Sequence, residues 1–173
     1  MTMQIGTYLE QLRSKYASGQ ATEHSYRPAL QALFEAIDPA LTVINEPKKS
    51  EAGMPDFLFE RGGVPIGWAE AKDIDKDVIK LKGYSIEQRK RYEKAYPNLI
   101  YTNGVDFEFI RDGAPVLRDA GAGVGRSRAR LRPTDARSAK MAPGLPLPGV
   151  STGHTADIVV SRLNRRLARL GHR

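Results

Sequence analysis

An α/β or α+β domain built on a mixed sheet is predicted by three features of this 173-residue sequence. Two segments near the N-terminus repeat apolar residues at helical spacing. Short β-branched and aromatic runs follow, separated by glycine-rich turns. A charged helical segment then divides three such runs from two more, and that order suits a mixed sheet with helices on it.

Taken in turn, Ile5, Leu9, Leu12 and Tyr16 predict a helix from about Gln4 to Ala17 that stops before Gly19. A second begins near Thr22 and carries Tyr26, Leu30, Leu33, Phe34 and Ile37 on one face. Pro28 is expected in its first turn, where backbone N–H groups lack intrahelical partners anyway. Leu41–Asn45, Asp56–Glu60 and Val64–Ala71 read as strands, the last two joined by Arg61-Gly62-Gly63. Ser85–Ala95 reads as a charged helix ended by Pro97. Leu99–Thr102 and Val105–Arg111 complete the set as a hairpin across Asn103-Gly104.

Composition excludes several function classes. The chain is 40 % apolar and 27 % charged, ordinary values for a soluble globular protein. No apolar run approaches the ~20 residues that cross a bilayer. The N-terminus lacks the basic-then-apolar pattern of a secretory signal. There is no cysteine, hence no disulfide framework, thiolate nucleophile or cysteine-ligated metal, and three scattered histidines do not space like a metal cluster. A cytoplasmic protein with no membrane partner is the expectation.

The net charge of +7 is unevenly placed. Residues 1–113 carry 15 Lys and Arg against 17 Asp and Glu, a net of −2, whereas residues 114–173 carry 12 against 3, a net of +9. Beyond Gly113 the chain is dominated by Arg, Ala, Gly, Pro and Ser, with little sustained apolar periodicity. Two regions follow: a folded body over residues 1–113 and a basic, mostly irregular tail over 114–173. Val159, Leu163, Leu167 and Leu170, opposed by Arg162, Arg165, Arg166 and Arg169, allow one amphipathic helix at about 156–170.

The chemistry concentrates between Gly53 and Lys72. In a hairpin turning at Gly62-Gly63, cross-strand partners have numbers summing to about 125, which sets Asp56 opposite residue 69 or 70. Alternation puts Glu70 and Lys72 on one face with Trp68 and Ile66, and Ala71 on the other. Two carboxylates and a lysine thus meet at one end of a sheet. Hard divalent cations take oxygen ligands and keep several waters, so two carboxylates suffice as the protein's main contribution. Such an ion stabilises charge on a phosphodiester and acidifies bound water, while a lysine positions the nucleophile.

Pro55-Asp56 with Glu70-Ala71-Lys72 resembles the motif of the PD-(D/E)xK nuclease superfamily, whose fold is a restriction-endonuclease-like mixed β-sheet flanked by helices. Glu23 matches the acid that many members place beside the metal. Gln88-Arg89-Lys90-Arg91-Tyr92 matches the QxxxY motif of one branch, its two ends on one helix face. Together with Thr22–Leu30, Asn45–Lys48 and Gly53–Asp56, these blocks resemble the N-terminal nuclease region of single-polypeptide restriction–modification enzymes of the type ISP kind. The resemblance covers roughly residues 7–113. It implies a Mg²⁺-dependent DNA endonuclease, with Mn²⁺ able to substitute, acting on double-stranded DNA. Asp56 and Glu70 would hold the metal, with the Ala71 carbonyl and Glu23 as further ligands. Lys72 would activate water, and Gln88 and Tyr92 would support the site and the DNA backbone. In such enzymes helicase, methyltransferase and target-recognition domains lie downstream, on a larger or neighbouring chain. No GxxxxGK[ST] loop or NPPY tetrapeptide of those domains occurs here; Gly121–Gly125 only imitates a nucleotide loop.

Plainer readings stand beside these. Asp56 alone is a strand-end carboxylate, Glu70 and Lys72 a solvated edge pair, Glu23 an acid favoured by the helix dipole. Gln88 and Tyr92 would then be ordinary helix residues. Lys48, Lys49, Arg89, Lys90 and Arg91 are either phosphate contacts or a solvated charge run. Phe57, Leu58, Phe59 and Trp68 read as core, and His24 as a helix-start residue without chemistry. The functional alternative is a catalytically silent nuclease-like module that binds DNA or a partner. A third reading places a nucleic-acid-binding activity in the tail, whose bias also matches GC-rich DNA read out of frame, as in a truncated or frame-shifted remnant.

Overall fold

The computed structural model describes residues 5–81 and 84–119. Two helices open the chain, α1 (Ile5–Ala17) and α2 (Glu23–Ile37). Three strands follow, β1 (Leu41–Asn45), β2 (Phe57–Arg61) and β3 (Val64–Ala71). After α3 (Tyr84–Ala95) come β4 (Asn98–Thr102), β5 (Phe107–Arg111) and β6 (Ala114–Asp119). The six strands form one sheet in the order β1-β2-β3-β4-β5-β6. Every neighbouring pair is antiparallel except β3 with β4, which run parallel because α3 carries the chain back across one face. This is the mixed sheet flanked by helices that the sequence predicts.

Each face of the sheet has its own core. Under α1 and α2, Leu12, Leu30, Leu33 and Phe34 close on Phe57, Phe59, Ala69 and Ala71. Phe34 meets Phe59 edge-on at 4.9 Å between ring centroids and Phe57 at 5.7 Å. Under α3, Tyr92 and Tyr96 pack on Leu99, Tyr101, Ile110 and Trp68. Tyr8, absent from the apolar stripe expected of α1, is 2 % exposed and donates its hydroxyl to the Gly104 carbonyl at 2.6 Å.

Local chemistry sets the turns. The β2–β3 hairpin closes through Gly62 and Gly63, whose φ of 58° and 77° are the positive pair that a tight two-residue turn requires. A bulge between Phe59 and Glu60 then shifts the register, so that Phe57 faces Ala69. The pair sum rises from 125 to 126, and the residue preceding Phe57 comes level with Glu70. The extra residue on β3 is Ile66. It therefore turns to the α1–α2 face, away from Trp68, which corrects the expectation that the two share a face.

Three further expectations are revised. Pro28 is the sixth residue of α2, not part of its first turn; it lies, like His24 one turn before it, on the exposed side of the helix. Asn103-Gly104 is not a two-residue hairpin, because Thr102 pairs with Phe107 across four loop residues. The Asn103 side-chain oxygen accepts the Val105 and Asp106 amides at 3.0 and 2.7 Å, which keeps both out of the strand. The sheet also continues past Gly113. Asp112 (φ 51°) and Gly113 (φ 78°) form a second tight turn, and Ala114–Asp119 returns along β5. Aspartate followed by glycine is a strong hairpin signal, masked in the sequence by the change of composition beside it. The remainder of the basic tail, including the helix expected at 156–170, lies outside the described residues.

Candidate active site

Asp56, Glu70 and Lys72 come together where β2 begins and β3 ends. Asp56 sits one residue ahead of β2, 8 % exposed. Its Oδ2 accepts the Ala71 amide at 2.8 Å, and its Oδ1 meets the Arg27 guanidinium. Glu70 is 3 % exposed on the α3 face. Its Oε1 takes the Lys72 ammonium at 2.5 Å, while its Oε2 is buried with no hydrogen-bond partner. Lys72 follows β3, its amide bonded to the Thr102 carbonyl at 2.8 Å and its Nζ also given to Gln88 Oε1 at 3.2 Å.

The other candidates surround this core. Glu23, the first residue of α2, meets Arg27 at 2.9 Å and so joins the cluster through that guanidinium. Thr22 fixes this helix end by donating its amide to Ser25 Oγ at 3.1 Å. Gln88 Nε2 lies 3.5 Å from the Tyr92 hydroxyl one turn along α3. Tyr92 is 2 % exposed, with its ring against Gly53. Gly53 has φ 120°, and a Cβ there would stand 2.9 Å from Tyr92 Cε1. The loop leading into Asp56 is thereby held on α3, helped by Tyr96, whose hydroxyl lies 2.7 Å from Ser50 Oγ, and by Arg91, which donates to the Ala52 carbonyl at 2.7 Å. Burial and the contact with Gly53 suit Tyr92 to bracing this loop.

Arg27 and Gly53 were missed as site residues. The i,i+4 spacing of Glu23 and Arg27 was the available sign of the first; for Gly53 only its place ahead of Pro55-Asp56 hinted at a role. Arg89 is corrected in the opposite sense. It points inward, held by Glu93 at 2.6 Å, Glu108 at 2.7 Å and the Val78 carbonyl at 3.0 Å, with its guanidinium 4.9 Å from the Tyr101 ring centroid. It is not a phosphate contact on the surface. Lys48, Lys49, Lys90 and Arg91 are exposed.

Burial pushes the Glu70 carboxyl up to about 7, with the Asp56 charge adding to the shift and Lys72 opposing it. Burial likewise raises Asp56, against the Ala71 amide and Arg27, which pull it down. Burial alone would lower Lys72, but the charge of Glu70 and the hydrogen bond to it hold the ammonium above the ordinary lysine range. Four carboxylates (Glu23, Glu46, Asp56 and Glu70) meet two cations, Arg27 and Lys72. Among the described residues no three His, Asp or Glu side chains are grouped as a ready-made metal site. The surplus of negative charge, the all-oxygen donors and the unpaired Glu70 Oε2 nevertheless fit one hard divalent cation that keeps part of its water shell.

No family model matches the chain, and no curated protein matches it. Among solved structures, the chain resembles one from the cryo-electron-microscopy structure of the DrdV–DNA complex, at 24 % identity and a TM-score of 0.52. The likeness covers 66 % of this chain and 12 % of the DrdV chain, so this chain corresponds to a small part of that one. It is a likeness of fold, and it fits the restriction-endonuclease-like arrangement expected from the sequence. Among the described residues no helix is long and apolar enough to cross a membrane.

Proposed function

We propose that this chain is the Mg²⁺-dependent DNA endonuclease domain of a restriction–modification system, hydrolysing phosphodiester bonds in double-stranded DNA. The observation that carries this reading is the buried meeting of Asp56, Glu70 and Lys72, with one Glu70 oxygen left without a partner. Asp56 and Glu70 would hold the cation, with the Ala71 carbonyl beside them and Glu23 within reach through its shared partner Arg27. When bound, the cation supplies charge stabilisation for the phosphodiester and a more acidic water. Lys72, paired to Glu70 and steadied by Gln88, holds a positive charge where it orients the attacking water. Tyr92 keeps the Asp56 loop seated on α3.

DNA as partner is supported by the likeness to a chain solved on DNA, and by the exposed Lys48, Lys49, Lys90 and Arg91, of which Arg91 bridges α3 to the loop ahead of Asp56. Contacts from such residues to phosphates position a duplex without reading its sequence. Specificity then belongs to other domains on a larger or neighbouring chain, in keeping with the small share of the DrdV chain that is matched.

Supercoiled plasmid, incubated with Mg²⁺, Mn²⁺, Ca²⁺ or chelator, tests the proposal. Nicking or linearisation is expected with Mg²⁺ and Mn²⁺, is lost with chelator and in Asp56→Ala, and is far weaker with Ca²⁺. Equal cutting in chelator removes the metal mechanism. Duplex binding without cutting under every condition would favour the silent binding module instead.

A further inference from the structure

One buried cation in the cluster has no part in the chemistry proposed above. Arg27 is 6 % exposed, and its guanidinium reaches Glu23 at 2.9 Å, Glu46 at 3.0 Å and Asp56. We infer that Arg27 is an internal counter-ion that competes with the divalent cation for Asp56 and so sets how tightly the site loads; this rests on the metal reading of the site.

Three observations carry the inference. Both Asp56 oxygens are engaged by protein donors, Oδ2 by the Ala71 amide at 2.8 Å and Oδ1 by Arg27. The amide belongs to the backbone at the end of β3 and cannot leave without disturbing the sheet, whereas a side chain can rotate away. Arg27 is thus the contact that yields.

Yielding does not strand the guanidinium. A buried charge that loses its only partner is strongly destabilising, but Arg27 keeps two carboxylates, Glu23 and the half-exposed Glu46. It is also incompletely satisfied where it sits, since its Nε is buried without an acceptor.

Glu46 is placed to retain it. This residue has φ 53°, a left-handed conformation uncommon outside glycine, and its amide donates to the Asp56 carbonyl at 2.8 Å. The backbone that seats Asp56 therefore also seats the carboxylate that keeps Arg27 when Asp56 is surrendered. The arrangement exchanges one cation for another on Asp56 without opening the fold.

Calorimetric titration of the full chain with Mg²⁺ and with Mn²⁺ tests this, using wild type, Arg27→Gln and the charge-conserving Arg27→Lys. Arg27→Gln, which removes the competing charge, is expected to bind roughly tenfold more tightly, the scale on which one adjacent charge alters a carboxylate's occupancy, and Arg27→Lys, which keeps the charge, to stay close to wild type. Tightening is also expected as a larger cation-induced rise in melting temperature than in wild type. Unchanged or weaker binding in Arg27→Gln, with wild type binding normally, overturns the inference and leaves the metal site intact. Equal tightening in Arg27→Gln and in folded Arg27→Lys overturns it too, because a positive charge kept beside Asp56 would then not oppose the ion. If Arg27→Gln does not fold, Arg27→Met, which keeps an apolar stem of similar length without the charge, takes its place. A wild-type chain that binds neither ion removes the metal reading itself.

Discussion

Glu70 and Glu108 stand in one row across the sheet, on either side of Tyr101, and their surroundings could hardly differ more. Glu108, fully buried, meets a guanidinium that is itself gripped by Glu93, a backbone carbonyl and the Tyr101 ring. Glu70, almost as buried, receives an ammonium on one oxygen and nothing on the other, with Asp56 close by. The first carboxylate is matched by a rigid partner and pins α3 and the segment before it to the sheet. The second has its ammonium on one oxygen only, and burial pushes its carboxyl up to about 7. One face of one sheet thus carries a buried carboxylate paired by a guanidinium and another with one oxygen left unpartnered.

The largest expected effects fall on the Glu70 end. Asp56→Ala and Glu70→Ala should lose both cation binding and plasmid cleavage. Lys72→Ala should keep cation binding and lose cleavage by about a hundredfold or more, the scale of a positioned proton-transfer or charge-stabilising group. Titration calorimetry beside a nicking assay separates the two. Were Lys72→Ala to abolish binding while Asp56→Ala spared it, the roles would have to be exchanged.

Stability should show the reverse contrast. Glu108→Gln leaves Arg89 buried with a weakened partner, and breaking such a pair costs roughly 3 kcal/mol. Glu70→Gln removes a charge that burial already disfavours, so above neutral pH the cation-free protein should be no less stable than wild type. Denaturant unfolding at about pH 8 with chelator reads both. Equal destabilisation by the two variants would erase the distinction drawn between the two carboxylates.

Most of this fold was legible because its signals are local. The spacing of Tyr26, Leu30, Leu33 and Phe34 and the turn at Gly62-Gly63 each specify their element with little help from the rest of the chain. What escaped depends on distant partners. The bulge that turns Ile66 to the opposite face is a property of two strands together. The inward course of Arg89 depends on Glu108, nineteen positions on, and a basic run reads as surface until that partner is known. Asp56, Glu70 and Lys72 could be brought together on paper because a tight hairpin makes distance along the chain predict distance in space. Arg27 reaches Asp56 from another element, and no such mirror relates them.

Gly53 joins the two regions, since its contact with Tyr92 seats the Asp56 loop on the helix that Arg89 anchors. In Gly53→Ala the new methyl group would enter the Tyr92 ring edge at a φ of 120°. A cost of about 1–3 kcal/mol is expected, with weaker cation binding as Asp56 shifts. Tyr92→Leu, which clears the ring, should recover part of the stability of the double variant. No recovery would mean that backbone strain alone accounts for the loss.

The finest test is a slope against pH. Glu70 is raised from 4.5 to about 7 in the folded protein by burial and by Asp56, so the folded state holds this proton more firmly than the unfolded chain does. Between those values the folded form binds more protons, and the stability of the cation-free protein therefore falls as pH rises across that window. Asp56 is displaced in the same direction and adds to the fall. A divalent cation competes with the same proton, so its affinity should climb over the window and level off above about pH 7. Thermal unfolding in chelator at about pH 5 and about pH 8, with titrations at each, measures both slopes. Glu70→Gln should reduce the stability slope to the part that Asp56 contributes, while Glu108→Gln should lower stability and leave both slopes largely in place. If the stability slope survives undiminished in Glu70→Gln, another group carries the titration, and Glu70 loses its standing as the unfinished carboxylate of the pair.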